Sequence, residues 1–120
     1  VELGPMIDTR GVEKVEEHLK DATGKGAKVT TGGKRHALGH SFFEPTVVTG
    51  ATPDMQCFRE ETFGPLAPLF KFKTDEEVIR LANDTEYGLA AYVFTTNAAR
   101  IWFFNDAATT EIYTSGVVGI

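Results

Sequence analysis

Between Leu66 and Ala82 the hydrophobic pattern changes period, and that change limits the fold more than any other feature of the chain. Leu66 to Phe72 is an apolar run that ends in alternation through Leu69, Phe70, Lys71 and Phe72, which predicts a strand. Thr74-Asp75-Glu76-Glu77 follows as a capping box, in which the Thr74 hydroxyl accepts from the Glu77 amide and the Glu77 carboxylate reaches back. Val78, Leu81 and Ala82 recur at helical spacing as the buried face of that helix, and Asn83 to Gly88 ends it. Leu89 to Phe94 reads as a strand, Asn97 caps a third helix over Ala98 to Ala108, and Val117 to Ile120 is a last strand. Strand, helix, strand, helix, strand at this spacing predicts two consecutive βαβ units. Such crossovers are right-handed and make an α/β fold: a parallel sheet with flanking helices.

The first half carries one strong helix. Val12, Val15, Leu19 and Ala22 form an apolar stripe between Asp8 and Ala22, with Asp8 or Thr9 as cap and Gly24 or Gly26 as stop. His18 lies among charged neighbours and is expected at the surface. Ala27 to Thr31 is a short strand, and Gly32 to Ser41 is a polar loop holding Lys34, Arg35, His36 and His40. Phe42 to Thr49 follows with Pro45 inside it. A proline cannot donate to a ladder, so this segment is expected as an edge strand or an extended segment, not as a central strand.

Composition bounds the function. The 120 residues predict one core, and a net charge of -5 opposes binding to a phosphate backbone. One cysteine can make neither an internal disulfide nor a cysteine-rich zinc site. No apolar run nears the ~20 residues that span a bilayer, and no charged segment leads into an apolar secretory stretch. A reducing, soluble setting is therefore expected, the cytoplasm first with a mitochondrial location as the alternative, and neither nucleic acid nor membrane as partner. Val1 and the apolar Gly116-Val117-Val118-Gly119-Ile120 read as cuts through a larger protein. Ile101-Trp102-Phe103-Phe104 would make a helix apolar around most of its circumference, which implies a packing partner outside this chain.

Few residues offer chemistry. Cys57 has apolar neighbours and no local base, so it reads as structural. His36 and His40 are four apart, but Gly32, Gly33 and Gly39 argue against the helix that would align them, and no metal site is expected. Gly24-Lys25-Gly26 follows a helix and precedes a strand, the reverse of a dinucleotide loop, and reads as a helix stop. Arg59-Glu60-Glu61-Thr62-Phe63-Gly64-Pro65 is the segment with most to offer. In extended backbone Glu61 and Phe63 share a side. A carboxylate can accept from both hydroxyls of a ribose, and an aromatic ring can wall a heterocycle. Exposed glutamates beside a core phenylalanine would fit the same residues.

That segment and its flanks resemble the aldehyde dehydrogenase superfamily. Glu60-Glu61-Thr62-Phe63-Gly64-Pro65 is similar to its Glu-Glu-hydrophobic-Phe-Gly-Pro signature. Gly4-Pro5-Met6-Ile7-Asp8, Ala27-Lys28-Val29 with Gly32-Gly33-Lys34, Phe43-Glu44-Pro45-Thr46-Val47 and Asn83 to Ala91 match in order and spacing, so the resemblance covers nearly the whole chain. Glu60 to Phe70 is worded most like the succinate-semialdehyde branch.

The resemblance implies part of a catalytic domain, over residues 1–120, of an enzyme that oxidises an aldehyde to an acid with NAD or NADP. A cysteine thiolate would form a thiohemiacetal and hydride would pass to the nicotinamide. A glutamate-activated water would then release the acid. The Gly-Gln-x-Cys and Glu-Leu-Gly-Gly-Lys contexts of that nucleophile and base are not in this chain, and the resemblance does not place the cofactor's Rossmann domain in it. No catalytic residue carries over. Glu61 carries over to the nicotinamide ribose and Phe63 to the nicotinamide ring. Met6 and Thr9 stand where the family often has Gln and Lys near the ribose. Phe103 replaces a usual polar residue, and Thr109 to Ser115 is longer than the usual link.

The implied partners are a small aldehyde, the remainder of a longer polypeptide and further copies in a homo-oligomer. The isolated chain is expected to be inactive. A non-catalytic α/β interaction domain is the alternative of a different class.

Overall fold

The computed structural model describes residues 3–86, 92–97 and 100. They fall in two compact units that divide after Lys71, where the length of the chain predicted one core. The predicted helix over 98–108 and strand over 117–120 lie outside the described residues, apart from the helical Arg100. So does the first half of the predicted strand over 89–94, and Tyr92, Val93 and Phe94 belong to no strand.

In the first unit, α1 (Thr9–Gly24) begins where Asp8, in extended backbone, accepts from the Gly11 amide. Its buried residues are Val12, Val15, His18, Leu19 and Ala22. The four apolar ones join Ala27, Phe43, Val48, Ala51 and Met55 in one core. Val12, Val15 and Met55 are fully shielded from water, and each such side chain stabilises the fold by about 1.5–3 kcal/mol.

The sheet has the order β1 (Lys28–Thr31), β2 (Thr46–Ala51), β3 (Leu66–Phe70). β2 and β3 run parallel, joined by a crossover through the short α2 (Gln56–Arg59). β1 pairs with β2 antiparallel, so the α/β class stands and the sheet is mixed. The expected edge position of the Pro45 segment is corrected. Pro45 lies between an isolated antiparallel bridge of Phe43 to Arg35 and the start of β2, and β2 is the central described strand. Ladder bonding starts one residue later, where the Thr46 amide donates to the Pro65 carbonyl at 2.8 Å. The proline inside a strand is Pro68, on β3 at the edge of the described sheet, where a missing donor is tolerated.

The turn out of β1 depends on a glycine. Gly32 has φ +68, and a Cβ there would collide with the Pro45 carbonyl and lie 2.7 Å from Thr46 Oγ1. That hydroxyl is occupied: it accepts from the Gly33 amide and donates to the Glu44 carbonyl.

In the second unit, α3 (Asp75–Asn83) is capped as its sequence predicts. Thr74 accepts from the Glu77 amide at 3.2 Å, and Glu77 reaches back to accept from the Lys73 amide at 2.8 Å. Its packed face differs from expectation: Val78 and Ile79 pack on the buried Val93, while Leu81 and Ala82 are half-buried.

Gly32 and Gly50 separate two costs. Both have positive φ, but a Cβ at Gly50 would meet open space. Gly50→Ala should cost about 1–2 kcal/mol for the left-handed backbone, and Gly32→Ala about 1–3 kcal/mol more for the collision. Urea unfolding of both variants checks this, and equal losses would contradict the close approach.

Candidate functional site

The site is built on the stretch between α2 and β3. Glu60 leaves α2 in extended backbone (φ -113, ψ 140) with its amide donating to the Gln56 carbonyl. Its carboxylate turns toward α1, where Oε2 lies 3.3 Å from Lys14 Nζ and 3.4 Å from His18 Nε2. These partners, His18 first and Lys14 second, hold the Glu60 carboxyl below its usual pKa. Two residues on, Thr62 Oγ1 lies 2.9 Å from His18 Nδ1.

The expectation that His18 lies at the surface is therefore wrong. The ring is 1% exposed and meets both Glu60 and Thr62. An imidazole buried without partners would cost stability; here both nitrogens have one. The signal was present in the sequence. Residues 15, 18 and 22 follow the i, i+3, i+7 rhythm of one helix face, so His18 stands on the apolar stripe.

With Glu60 and Thr62 turned to α1, Glu61 between them is exposed, as alternation of side chains along a strip would place it. Phe63 then breaks the alternation on which its shared side with Glu61 was predicted. Its φ is +51, in the left-handed region that bulky residues avoid, and its ring is 82% exposed. Such a conformation persists where the neighbours leave no alternative. On one side Thr62 is held by His18. On the other, Gly64 packs so closely on α1 that a Cβ would lie 2.5 Å from Val15 Cγ2 and 2.9 Å from Met6 Cε. The Gly64 carbonyl accepts from the Leu66 amide, and the Pro65 carbonyl accepts from Thr46.

The segment thus presents an exposed carboxylate and an exposed aromatic ring from a backbone pinned at both ends. That pairing of an acceptor with an apolar ring suits a ribose diol beside a flat heterocycle, the chemistry of the nicotinamide end of a dinucleotide. Met6 contributes packing in place of a polar contact: its side chain lines the core and Gly64, and Thr9 is exposed.

The other candidates separate from this site. Among the described residues, no group of His, Cys, Asp and Glu could hold a metal. His36 Nδ1 accepts from the Leu38 amide, and His40 sits at φ 51 in the same loop. Arg35 of that loop makes a two-pronged ion pair with Glu16, at 2.7 and 2.8 Å. Cys57 is half-buried against the core, and burial pushes its thiol pKa up.

The chain matches the aldehyde dehydrogenase family over residues 1–116. It is 57% identical over 104 residues to the mitochondrial succinate-semialdehyde dehydrogenase of Oryza sativa subsp. japonica, a match covering 87% of this chain and 20% of that protein. It is 58% identical over 98 residues to 3-sulfolactaldehyde dehydrogenase of Pseudomonas putida, covering 82% of this chain and 20% of that one. The chain thus spans about a fifth of the length of the curated relatives it matches. Among solved structures, succinate-semialdehyde dehydrogenase from Burkholderia pseudomallei superposes with a TM-score of 0.86 at 52% identity, over 98% of this chain and 27% of that one. Betaine aldehyde dehydrogenase from Staphylococcus aureus, in complex with NAD+, superposes with a TM-score of 0.84 at 36% identity, over 92% and 23%.

The raised thiol pKa and the packing of Cys57 give a direct expectation. A thiol reagent near pH 8 should modify Cys57 much more slowly in the native protein than after denaturation, because the thiolate is the reactive form. Rapid labelling of the native thiol would contradict a structural role.

Proposed function

This chain belongs to the aldehyde dehydrogenase family, and on that premise we propose that it supplies the nicotinamide-facing segment of an NAD(P)-dependent enzyme oxidising an aldehyde to its acid. The observation that carries this reading is the pinned strip from Glu60 to Pro65, with Glu61 and Phe63 exposed on it. A bound nicotinamide would accept hydride from the aldehyde carbon. Glu61 would accept hydrogen bonds from the ribose hydroxyls, and the Phe63 ring would stand beside the nicotinamide as an apolar wall. Holding that end of the cofactor still favours transfer, since misplacement of a reacting group raises the barrier. Glu60, engaged by Lys14 and His18, has no such role.

The substrate we favour is succinate semialdehyde. The names of relatives support an aldehyde with an acidic far end: one is a succinate-semialdehyde dehydrogenase and another acts on 3-sulfolactaldehyde. The nucleophile and the base would come from the remainder of a longer polypeptide, because the chain has neither a Gly-Gln-x-Cys nor a Glu-Leu-Gly-Gly-Lys sequence.

The test has two arms. The chain by itself should reduce neither NAD nor NADP with succinic semialdehyde above a boiled control. In the whole enzyme carrying it, Glu61→Gln should slow single-turnover hydride transfer or weaken cofactor binding by about 1–3 kcal/mol, as for hydrogen bonds to a charged group. Glu60→Gln should do much less. Activity of the chain alone would overturn the division of labour, and equal effects at the two glutamates would overturn the assignment of Glu61.

A further inference from the structure

His18 is buried, polar and unused by the reading above. It does not itself face the proposed cofactor position, because its two nitrogens are turned to Glu60 and Thr62. A carboxylate can only accept, so the Nε2 facing Glu60 carries the proton. In the neutral ring Nδ1 is then bare, and the Thr62 hydroxyl donates to it. One ring therefore grips the residues on both sides of Glu61. Where the backbone alternates, two neighbours tied to α1 leave the middle side chain facing away from it, and Glu61 is exposed.

Lys14 adds a second hold on Glu60 from the same helix face, four residues before His18. Thr62 has no such second hold among the side-chain hydrogen bonds described, and its tether borders the left-handed Phe63.

We propose that His18 is a positioning residue, which sets the direction of the Glu61 carboxylate and the backbone of Phe63 by tethering Thr62 and Glu60 to α1. This rests on the reading that Glu61 contacts the cofactor ribose. A histidine that merely fills the core would stabilise the fold without changing how Glu61 acts. A positioning residue loses its effect once Glu61 can no longer act. That difference is measurable, because residues working through one another show non-additive losses.

The experiment uses the whole enzyme carrying this chain. Thr62→Val removes one hydroxyl at a half-buried position and keeps the side chain's shape, so it serves where His18→Leu fails to fold. His18→Asn keeps an acceptor near the position of Nδ1. Cofactor dissociation constants and single-turnover rates are measured for each variant, alone and combined with Glu61→Gln. Thr62→Val and His18→Leu should each weaken cofactor binding roughly tenfold, the scale of one lost hydrogen bond acting through a charged group. Neither should add materially to the loss in Glu61→Gln, and His18→Asn should recover most of the affinity.

Unchanged affinity in folded Thr62→Val beside a damaging Glu61→Gln would overturn the proposal. So would losses that add in full to those of Glu61→Gln. A silent Glu61→Gln in an active enzyme would instead overturn the ribose assignment on which the proposal rests.

Discussion

The approach of Gly64 to α1 is the contact on which the sheet and the site both depend. Any side chain there would collide with Val15 and Met6, and Val15 is fully buried. Because Gly64 fits, Pro65 can offer its carbonyl to Thr46, which begins the parallel pairing of β2 with β3. The same approach fixes one end of the strip whose other end His18 holds through Thr62. Core packing, strand register and the exposure of Phe63 are thus consequences of one missing Cβ. Overpacking at such a point costs about 1–3 kcal/mol by itself, and here the cost would fall on the candidate site as well as on the core.

Two adjacent glutamates acquire different roles from this geometry. Glu60 spends its charge locally, against Lys14 and His18, and its carboxyl is held below the usual range. Glu61 is exposed. Like charges next to each other repel, and Lys14 on α1 gives one of them a charged partner while the other stays available. The left-handed backbone at Phe63 belongs to the same arrangement: it turns a large ring out to solvent, where burial would have been the ordinary fate of a phenylalanine.

Much of this was legible in the residues. The stripe of α1, its Asp8 cap, the Thr74 box and the strand after Pro65 follow from local rules, and each stands. Four features were not. Pro45 signalled an edge, but a proline constrains only the position it occupies, and the strand begins one residue later. The orientation of β1 depends on the path through the loop over 32–45, which no local pattern encodes. His18 was misjudged because its sequence neighbours are charged. On a helix the relevant neighbours are three and four residues away, and those include the buried Val15 and Ala22. The shared side of Glu61 and Phe63 was inferred from extended backbone, and a left-handed residue breaks that rule without leaving a sequence signal.

The central claim is that the strip from Glu60 to Pro65 ties one glutamate to α1 and offers the other, with Phe63, to the nicotinamide end of a cofactor. A crystal structure of the whole enzyme with bound NAD or NADP tests it most directly. The account predicts a Glu61 carboxylate oxygen about 3 Å from a hydroxyl of the nicotinamide ribose, the Phe63 ring beside the nicotinamide, and Glu60 still on Lys14 and His18. A cofactor ribose held by Glu60, or a nicotinamide remote from Phe63, would contradict it.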